Sequence, residues 1–461
     1  METSNQVTKR GIYVAMPWVI FLVFMQVFSD KMFGIMTPVI ATSFSIDAST
    51  VSLLTTVAML VFGIGGAVYS TLADVLAPRK LFVIGAVCFA AGSLAGLLLQ
   101  FSFPLVVLAR AVQVAGAAVI PGCFIVLVRR YLDEEHQATY LGFNTAMYQL
   151  SAGLGSLFGG YVTKYFSWGV TFAIPVIVLA TIPVFLKYLP NDEKKDANSK
   201  VDVIGIVFIS VLFGSMLLAI NTKQLMYVAI CIVFAVIYAI YALRAENPII
   251  DLRLFTTPKL LSGTLVSCLI YGVQMTFFFL FSFLILGAYN VDVAYVGLMY
   301  IPANLCAFVS GMSSGFITKK IGNRRAFFLG CTVIMASLVM FGTMVGQNII
   351  WMWVAMTLFG VGYTIIYPGY YTAFSNAMPE AIIGRAMAVS NLLNRIANAL
   401  AIALAGAALT SKAIMSNGMP FLADPKVNVY SNICLVLALC VVVAMIAFSL
   451  VFKKKEGTAN A

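Results

Sequence analysis

About fourteen apolar runs, each long enough to cross a lipid hydrocarbon core as a helix, follow one another along these 461 residues. They read Val14 to Val39, Leu53 to Thr71, Leu81 to Leu99, Leu105 to Val128, Ala138 to Val162, Val170 to Leu186, Val203 to Ile220, Leu225 to Leu243, Leu260 to Leu286, Ala294 to Ile317, Ala326 to Val345, Ile350 to Ala373, Ile383 to Leu409 and Ile433 to Val451. A hydrocarbon core of about 30 Å takes roughly 20 helical residues to cross. Inside it every backbone N–H and C=O must find a partner within the protein, so only helices or closed barrels span. A barrel would show alternating segments of about ten residues, whereas these runs are long and unbroken. The expected fold class is an all-α polytopic membrane protein. Composition excludes a water-soluble domain, since 62% of residues are hydrophobic and only 10% charged, against about 25% charged in soluble domains. The first run is too long for a signal peptide's apolar region and lacks a small-residue cleavage site, so it reads as a retained span.

The net charge of +11 would suggest a nucleic-acid partner in a soluble chain. Position points elsewhere. Most Lys and Arg fall in the N-terminal tail, in every second loop and in the C-terminal tail, as in Arg79-Lys80, Arg129-Arg130, Lys319-Lys320, Arg324-Arg325 and Lys453-Lys454-Lys455. Cytoplasmic loops carry such an excess, so both termini are expected on the cytoplasmic side and no nucleic acid is expected. The eight cysteines all lie within apolar runs and form no C-x-x-C, which suggests neither a disulfide framework nor zinc. The single histidine, His136, sits among Asp133, Glu134 and Glu135. No metal, cofactor or nucleophile chemistry is expected, and no enzyme. A primary pump is disfavoured, because no G-x-x-x-x-G-K-[ST] phosphate loop is present.

The chain repeats itself. Ser70-x-x-x-Asp74-x-x-Ala77-x-Arg79-Lys80 recurs 245 residues later as Gly315-x-x-x-Lys319-x-x-Gly322-x-Arg324-Arg325. Pro121-Gly122 recurs as Pro368-Gly369, Asn144 as Asn391 and Gly159 as Gly406, each 247 residues on. The polar linker Asn191 to Lys200 marks a boundary, and a second linker runs from Arg244 to Lys259. The expected organisation is a six-helix half at 1–190, a linker with two inserted helices at 191–258, and a second six-helix half at 259–461. Parallel repeats of this kind build carriers that rock one half against the other around a site near the bilayer midplane.

These residues resemble the major facilitator superfamily, specifically its fourteen-helix drug:proton antiporter branch, which includes tetracycline exporters. The family's loop between helices 2 and 3, G-x-L-A-D-R-x-G-R-R-K, is matched by Ser70-Thr71-Leu72-Ala73-Asp74-Val75-Leu76-Ala77-Pro78-Arg79-Lys80, which keeps the Asp and the basic end but loses both glycines and the first arginine. The helix 4 pattern R-x-x-Q-G-x-G-A-A appears as Arg110-x-x-Gln113-Val114-Ala115-Gly116-Ala117-Ala118. In helix 5 the antiporter motif G-x-G-P-x-x-G-G appears as Gly153-Leu154-Gly155-Ser156-Leu157-Phe158-Gly159-Gly160, with serine in place of proline. Small residues spaced by three let two helix backbones approach closely, so Gly153, Gly155, Gly159 and Gly160 are expected in helix packing. Asn247-Pro248-Ile249-Ile250-Asp251-Leu252-Arg253-Leu254-Phe255 is similar to the segment before helix 9 of the same branch.

Of 17 carboxylates, Asp30 is the one that lies inside a span, and it matches the acid of the family's helix 1 motif. A buried ionisable residue is costly and is by default a functional candidate. Desolvation would raise its proton affinity and neighbouring cations would lower it, so Asp30 is a candidate proton carrier with Arg110 beside it. The alternative is a permanently charged partner of Lys31, Arg110 or Arg395, and Arg110 could also snorkel to the outer interface. Asn391, Asn394, Arg395 and Asn398 recur at spacings of three and four, which places them on one polar face of helix 13. That face would line a cavity or glue a helix interface. Lys31, Gln113, Asn144 and Gln274 complete the candidate cavity residues, with Tyr271, Phe277, Phe278, Tyr363, Tyr367 and Tyr371 as candidate aromatic walls.

The resemblance implies a proton-coupled carrier of a small amphipathic organic solute, working by alternating access and expected to export drug-type molecules. Asp74, Arg79 and Lys80 would form its gate. The chain departs from the tetracycline exporters at Asn398, where they carry a glutamate. One acid and three bases within the spans make an organic anion, such as a bile salt, the alternative substrate. A non-transporting sensor or scaffold is remote, since no loop is long enough for a soluble signalling domain. A monomer in the cytoplasmic membrane of a bacterium is expected.

Overall fold

The computed structural model describes residues 2–73, 75–191, 202–245, 248–378, 383–411 and 425–451. Among them the regular structure is helical throughout. Fourteen helices follow in order: α1 (Glu2–Ser43), α2 (Ala48–Leu72), α3 (Pro78–Leu98), α4 (Phe103–Tyr131), α5 (Glu134–Tyr165), α6 (Trp168–Tyr188), α7 (Val203–Thr222), α8 (Leu225–Arg244), α9 (Pro258–Tyr289), α10 (Val293–Ile321), α11 (Asn323–Met344), α12 (Ile350–Ala377), α13 (Ile383–Leu409) and α14 (Pro425–Val451). Thirteen contain stretches long and apolar enough to cross a membrane. The exception is α5, which is long enough at 32 residues but carries Glu134, Glu135, Gln137, Asn144 and Gln149 along its first half. Fourteen successive crossings return the chain to the face on which it began, here called the terminal face; the opposite one is the far face.

Prolines explain the two irregular helices. In α4 the turn breaks at Ala118, between Phe103–Ala117 and Val119–Tyr131, because Pro121 has no N–H to offer the carbonyl four residues earlier. The first two-thirds of α6 winds as tighter 3₁₀ turns, Trp168–Phe172 and Ile174–Thr181, before an α-helical end at Ile182–Tyr188. Pro175 removes an amide donor within that stretch and Pro183 another just after it.

Helices α1–α6 pack on one another, as do α9–α14; α7 lies against α2 and α13, and α8 pairs with α7. The repeat is visible in the backbone. A Cβ on Gly85 of α3 would sit 2.9 Å from the carbonyl of Gly116 on α4. In the second half Gly330 of α11 meets Gly362 of α12 in the same way, at 2.7 Å. These two glycines follow their counterparts by 245 and 246 residues.

Two seams join the halves, α2 with α13 and α5 with α10. Their close approaches lie toward the far face. Gly406 packs against the backbone of Ala48 and Ser49, Gly160 against Val293 and Ala294, and Gly297 against Ser156 and Leu157. Toward the terminal face the halves part: a Cβ on Gly153 would meet only Asn304, at 3.8 Å, and Tyr148, Tyr367 and Asn391 are exposed.

The inserted pair is tied down by one carboxylate. Asp202 accepts from the Gly205 amide at 2.8 Å, from the Ile249 amide at 3.0 Å and from the Tyr241 hydroxyl. Tyr238 hydrogen-bonds the backbone of Ile250 in both directions. Asp251 caps the next turn and pairs with Arg253 at 3.0 Å, while Arg253 also reaches the Ala245 carbonyl at 2.7 Å. The segment before α9 therefore fastens α8 to the second half.

Candidate functional site

The site begins with the one acid inside the bundle. Asp30, near the middle of α1, faces Arg110 of α4, whose Nη2 donates to Asp30 Oδ1 at 2.9 Å. Arg110 is only 3% exposed, its guanidinium turned to Asp30 inside the bundle. Its Nη1 donates to Ser29 Oγ at 3.3 Å and to Gln113 Oε1. Gln113 in turn donates to Ser93 Oγ at 2.7 Å, and Ser93 to the Phe89 carbonyl at 2.8 Å. The Phe33 ring lies 4.4 Å from the guanidinium. A buried cation is tolerated only when paired and hydrogen-bonded, and this chain of α1, α3 and α4 side chains supplies both.

Asp30 is the more open partner, with 29% of its side chain exposed. Its Oδ2 has no protein hydrogen bond among the described residues. It lines two adjoining cavities that share Asp30 and Met59 as a wall. The first also meets Lys31, Met275, Phe278 and Tyr300; the second meets Gln26, Tyr148 and Arg395. Such a carboxylate holds a fixed cation with one oxygen and can take a proton from the cavity on the other.

Two more cations reach across between the halves. Lys31 of α1 lies 5.2 Å from the ring centroid of Phe278 on α9, and Arg395 of α13 lies 4.9 Å from that of Phe62 on α2. Neither has a carboxylate partner among the described residues.

The polar face of α13 divides. Asn391 accepts from the Tyr371 hydroxyl at 3.0 Å and is exposed toward the terminal face. Asn394 is buried and accepts from Ser267 Oγ at 2.7 Å and Cys268 Sγ at 3.4 Å, both on α9. Asn398, also buried, donates its amide to the carbonyls of Asn394 and Tyr271, at 3.3 and 3.1 Å. So Asn394 and Asn398 sit in the α9–α13 seam, with Asn391 and Arg395 on the open side. Gln113 likewise lies behind Arg110 and not on a cavity wall. Asn144 and Gln274 are half-buried.

Among the aromatic candidates, Phe278 lines the larger cavity, but Phe277 is fully buried and stacks on Phe359 with centroids 4.2 Å apart. It belongs to the packed core of the second half. Tyr271, Tyr363 and Tyr367 border a small apolar cavity with Tyr370. Tyr371 packs against Tyr367 with the rings tilted 39° and their centroids 4.4 Å apart.

The α5 glycines set the position of Asp30. A Cβ on Gly155 would fall 2.5 Å from the Phe28 carbonyl, and one on Gly159 would fall 2.8 Å from the Met32 Cα. These α1 residues lie two before and two after Asp30. At the terminal face Asp74 lies outside the described residues. Arg79 donates from Nε to the Leu189 carbonyl at 2.9 Å and from its backbone N to Pro190 at 3.2 Å, holding the end of α6. Lys80 is exposed, with its backbone amide on the Ala77 carbonyl.

Sequence reasoning missed one contact. Lys164 Nζ at the end of α5 lies 2.9 Å from Asp292 Oδ2 at the start of α10. The signal was present: both stand at span ends on the side poor in basic residues.

Two pseudo-symmetric six-helix halves around a central cavity that holds an ion pair define a membrane transporter fold. The sequence pattern of the Major Facilitator Superfamily matches residues 19–402, and the chain belongs to that family. Relatives are distant. The riboflavin transporter RibZ of Clostridioides difficile (strain 630) is 23% identical over 75% of this chain and 78% of its own. The quinolone resistance protein NorB of Staphylococcus aureus (strain MRSA252) is 23% identical over 82% of this chain and 84% of its own. The uncharacterized MFS-type transporter YhcA of Bacillus subtilis (strain 168) is 20% identical over 83% and 73%. Among solved structures, a POT family transporter in complex with a thioalcohol-conjugated peptide superposes with a TM-score of 0.68 at 16% identity, covering 95% of this chain and 96% of that one. A D-xylose–proton symporter gives 0.65 at 14% identity, covering 93% and 96%.

Proposed function

We propose that this transporter is proton-coupled and moves a small amphipathic organic solute by alternating access, as an exporter of the fourteen-helix drug:proton antiporter branch. The observation that carries the reading is Asp30, an intramembrane carboxylate whose one oxygen rests on buried Arg110 and whose other opens to the central cavity. Protonation from the cavity would weaken the ion pair, so occupancy and proton binding compete for the same charge. The proton-coupled symporter among the fold neighbours and the quinolone resistance protein among the relatives agree with coupling and with export.

In this reading residues 1–190 and 259–461 rock against each other, and 191–258 carries the inserted pair. Basic loops set the terminal face in the cytoplasm of a bacterium, and the described conformer is then open inward. Arg79 serves the gate together with Asp74 and Lys80, by clamping the end of α6 to the start of α3. The carrier works as a monomer.

Proton flux in proteoliposomes with an internal pH dye tests this. Lipophilic cations and amphipathic anions are added in turn to wild type and to Asp30→Asn. Solute-triggered proton movement that disappears in the variant supports the reading; full gradient-driven transport by Asp30→Asn overturns it.

A further inference from the structure

A cavity inside a membrane has to account for every charge on its wall. Asp30 and Arg110 neutralise each other at 2.9 Å. That leaves Lys31 and Arg395, one on each half, each lying against an aromatic ring of the opposite half. A ring quadrupole returns part of the desolvation cost of a cation, about 0.5–2 kcal/mol, and neutralises none of its charge. Among the described residues no carboxylate pairs with either cation, and in the sequence the other sixteen carboxylates lie in loops, tails or helix ends. The cavity therefore carries two positive charges in excess of its acids.

The two cations line neighbouring cavities. Lys31 lines the first cavity and Arg395 the second, and the cavities adjoin at Asp30 and Met59. Beyond the charges the first is mostly apolar, with Ile35, Met275, Phe279 and Ile402 on its wall, while the second mixes Ala58, Phe62 and Val114 with Gln26 and Tyr148. A wall of that kind excludes a hydrated inorganic anion, because nothing apolar on such an ion repays the loss of its water. It suits a molecule with an apolar body and one anionic head.

We infer that the transported solute is an amphipathic organic anion, whose carboxylate or sulfonate head is held between Lys31 and Arg395 while its body lies on Met59 and Phe278. This rests on the transporter reading above and names the substrate class of that same site. Binding from both halves explains why the cations stand on opposite sides of the interface. An anion there attracts both halves in the closed state and leaves two like charges facing each other when it departs. Arg395 is additionally held in place by a tight seam, since a Cβ on Gly63 would fall 2.8 Å from the Arg395 Cβ.

The test is calorimetric titration of the purified full chain in detergent with pyrenebutyrate and with pyrenebutyltrimethylammonium, which share a body and differ in head charge. Pyrenebutyrate is expected to bind at least about tenfold tighter than the cation, as one charge-assisted contact implies, and much tighter than acetate. Lys31→Gln and Arg395→Gln should each weaken pyrenebutyrate about five- to tenfold, whereas Lys31→Arg and Arg395→Lys, which keep the charge, should restore most of the binding. The thermal midpoint of each variant in detergent separates loss of binding from loss of fold. Equal or tighter binding of the cation overturns the inference, as does unchanged pyrenebutyrate affinity in the folded double glutamine variant. Acetate binding as tightly as pyrenebutyrate would also overturn it, by removing the role of the apolar body. Because titration needs no proton gradient, its outcome is independent of the Asp30→Asn flux assay. A cation-driven, Asp30-dependent proton flux without pyrenebutyrate binding would leave the transporter reading standing and sink the anion.

Discussion

Lys164 of α5 and Asp292 at the start of α10 form an ion pair of 2.9 Å that joins the two halves at the far face. It lies one turn beyond the contact of Gly160 with Val293 and Ala294, so charge and backbone packing close the same end of the seam. Both side chains are well exposed, and exposed ion pairs contribute little and are screened by salt. The pair is a latch easily opened.

Spin labels placed on the far-face ends of α5 and α10 should report a larger open population in Asp292→Asn and Lys164→Met than in wild type. Molar salt should shift wild type in the same direction and leave the variants unmoved. The hydrogen bond from Lys164 holds the Asp292 carboxyl below its ordinary value. The contribution of the latch is therefore fully present above the ordinary carboxylate value and is lost as pH falls through the depressed one. A distance distribution that does not change on lowering the pH through that range would remove the latch from the account.

Breaking the Asp30–Arg110 pair by one partner should be costlier than removing both. Arg110 is buried, and an uncompensated buried charge costs about 3–5 kcal/mol. Asp30→Leu alone is expected to lower the thermal midpoint in detergent strongly. Adding Arg110→Met should recover most of that loss, because the desolvated cation has gone. A double variant as unstable as the single would mean that the pair is not the stabilising unit.

The α5 glycines should differ sharply from one another. Gly155→Ala places a methyl group 2.5 Å from the Phe28 carbonyl, and overpacking of that kind costs about 1–3 kcal/mol. Gly153→Ala finds only Asn304 at 3.8 Å and should be neutral, or stabilising by about 0.5–1 kcal/mol through helix propensity. Thermal midpoints of the two variants, measured side by side, check the contrast.

On α13, Asn394→Ala should lower stability by about 1 kcal/mol, since it takes the acceptor from the Cys268 thiol and leaves the Ser267 hydroxyl only the Thr264 carbonyl in the α9 seam. Asn391→Ala, on the open side, should leave the midpoint nearly unchanged. Equal losses would contradict the division of the two residues between seam and cavity.

Much of this molecule was legible from the chain alone, for a physical reason. Hydrocarbon forces each helix to satisfy its own backbone locally, so the spans, including the polar α5, can be read from runs of residues. The repeat, the fold and the solitary acid Asp30 with its three intramembrane bases follow from the same local reading. What the chain alone left open is which side of each helix faces inward. In lipid the buried face and the exposed face are both apolar, so the hydrophobic contrast that marks the inner side of a soluble helix is absent. Hence the sequence placed Asn391, Asn394, Arg395 and Asn398 on one face, and only packing against α9 and α2 separated seam from cavity. Phe277 and Phe278 are neighbours of like chemistry, yet one stacks in the core on Phe359 and the other meets Lys31. The pairing of Asp30 with Arg110, 80 residues apart, and of Lys164 with Asp292 are long-range contacts, decided where the helices meet.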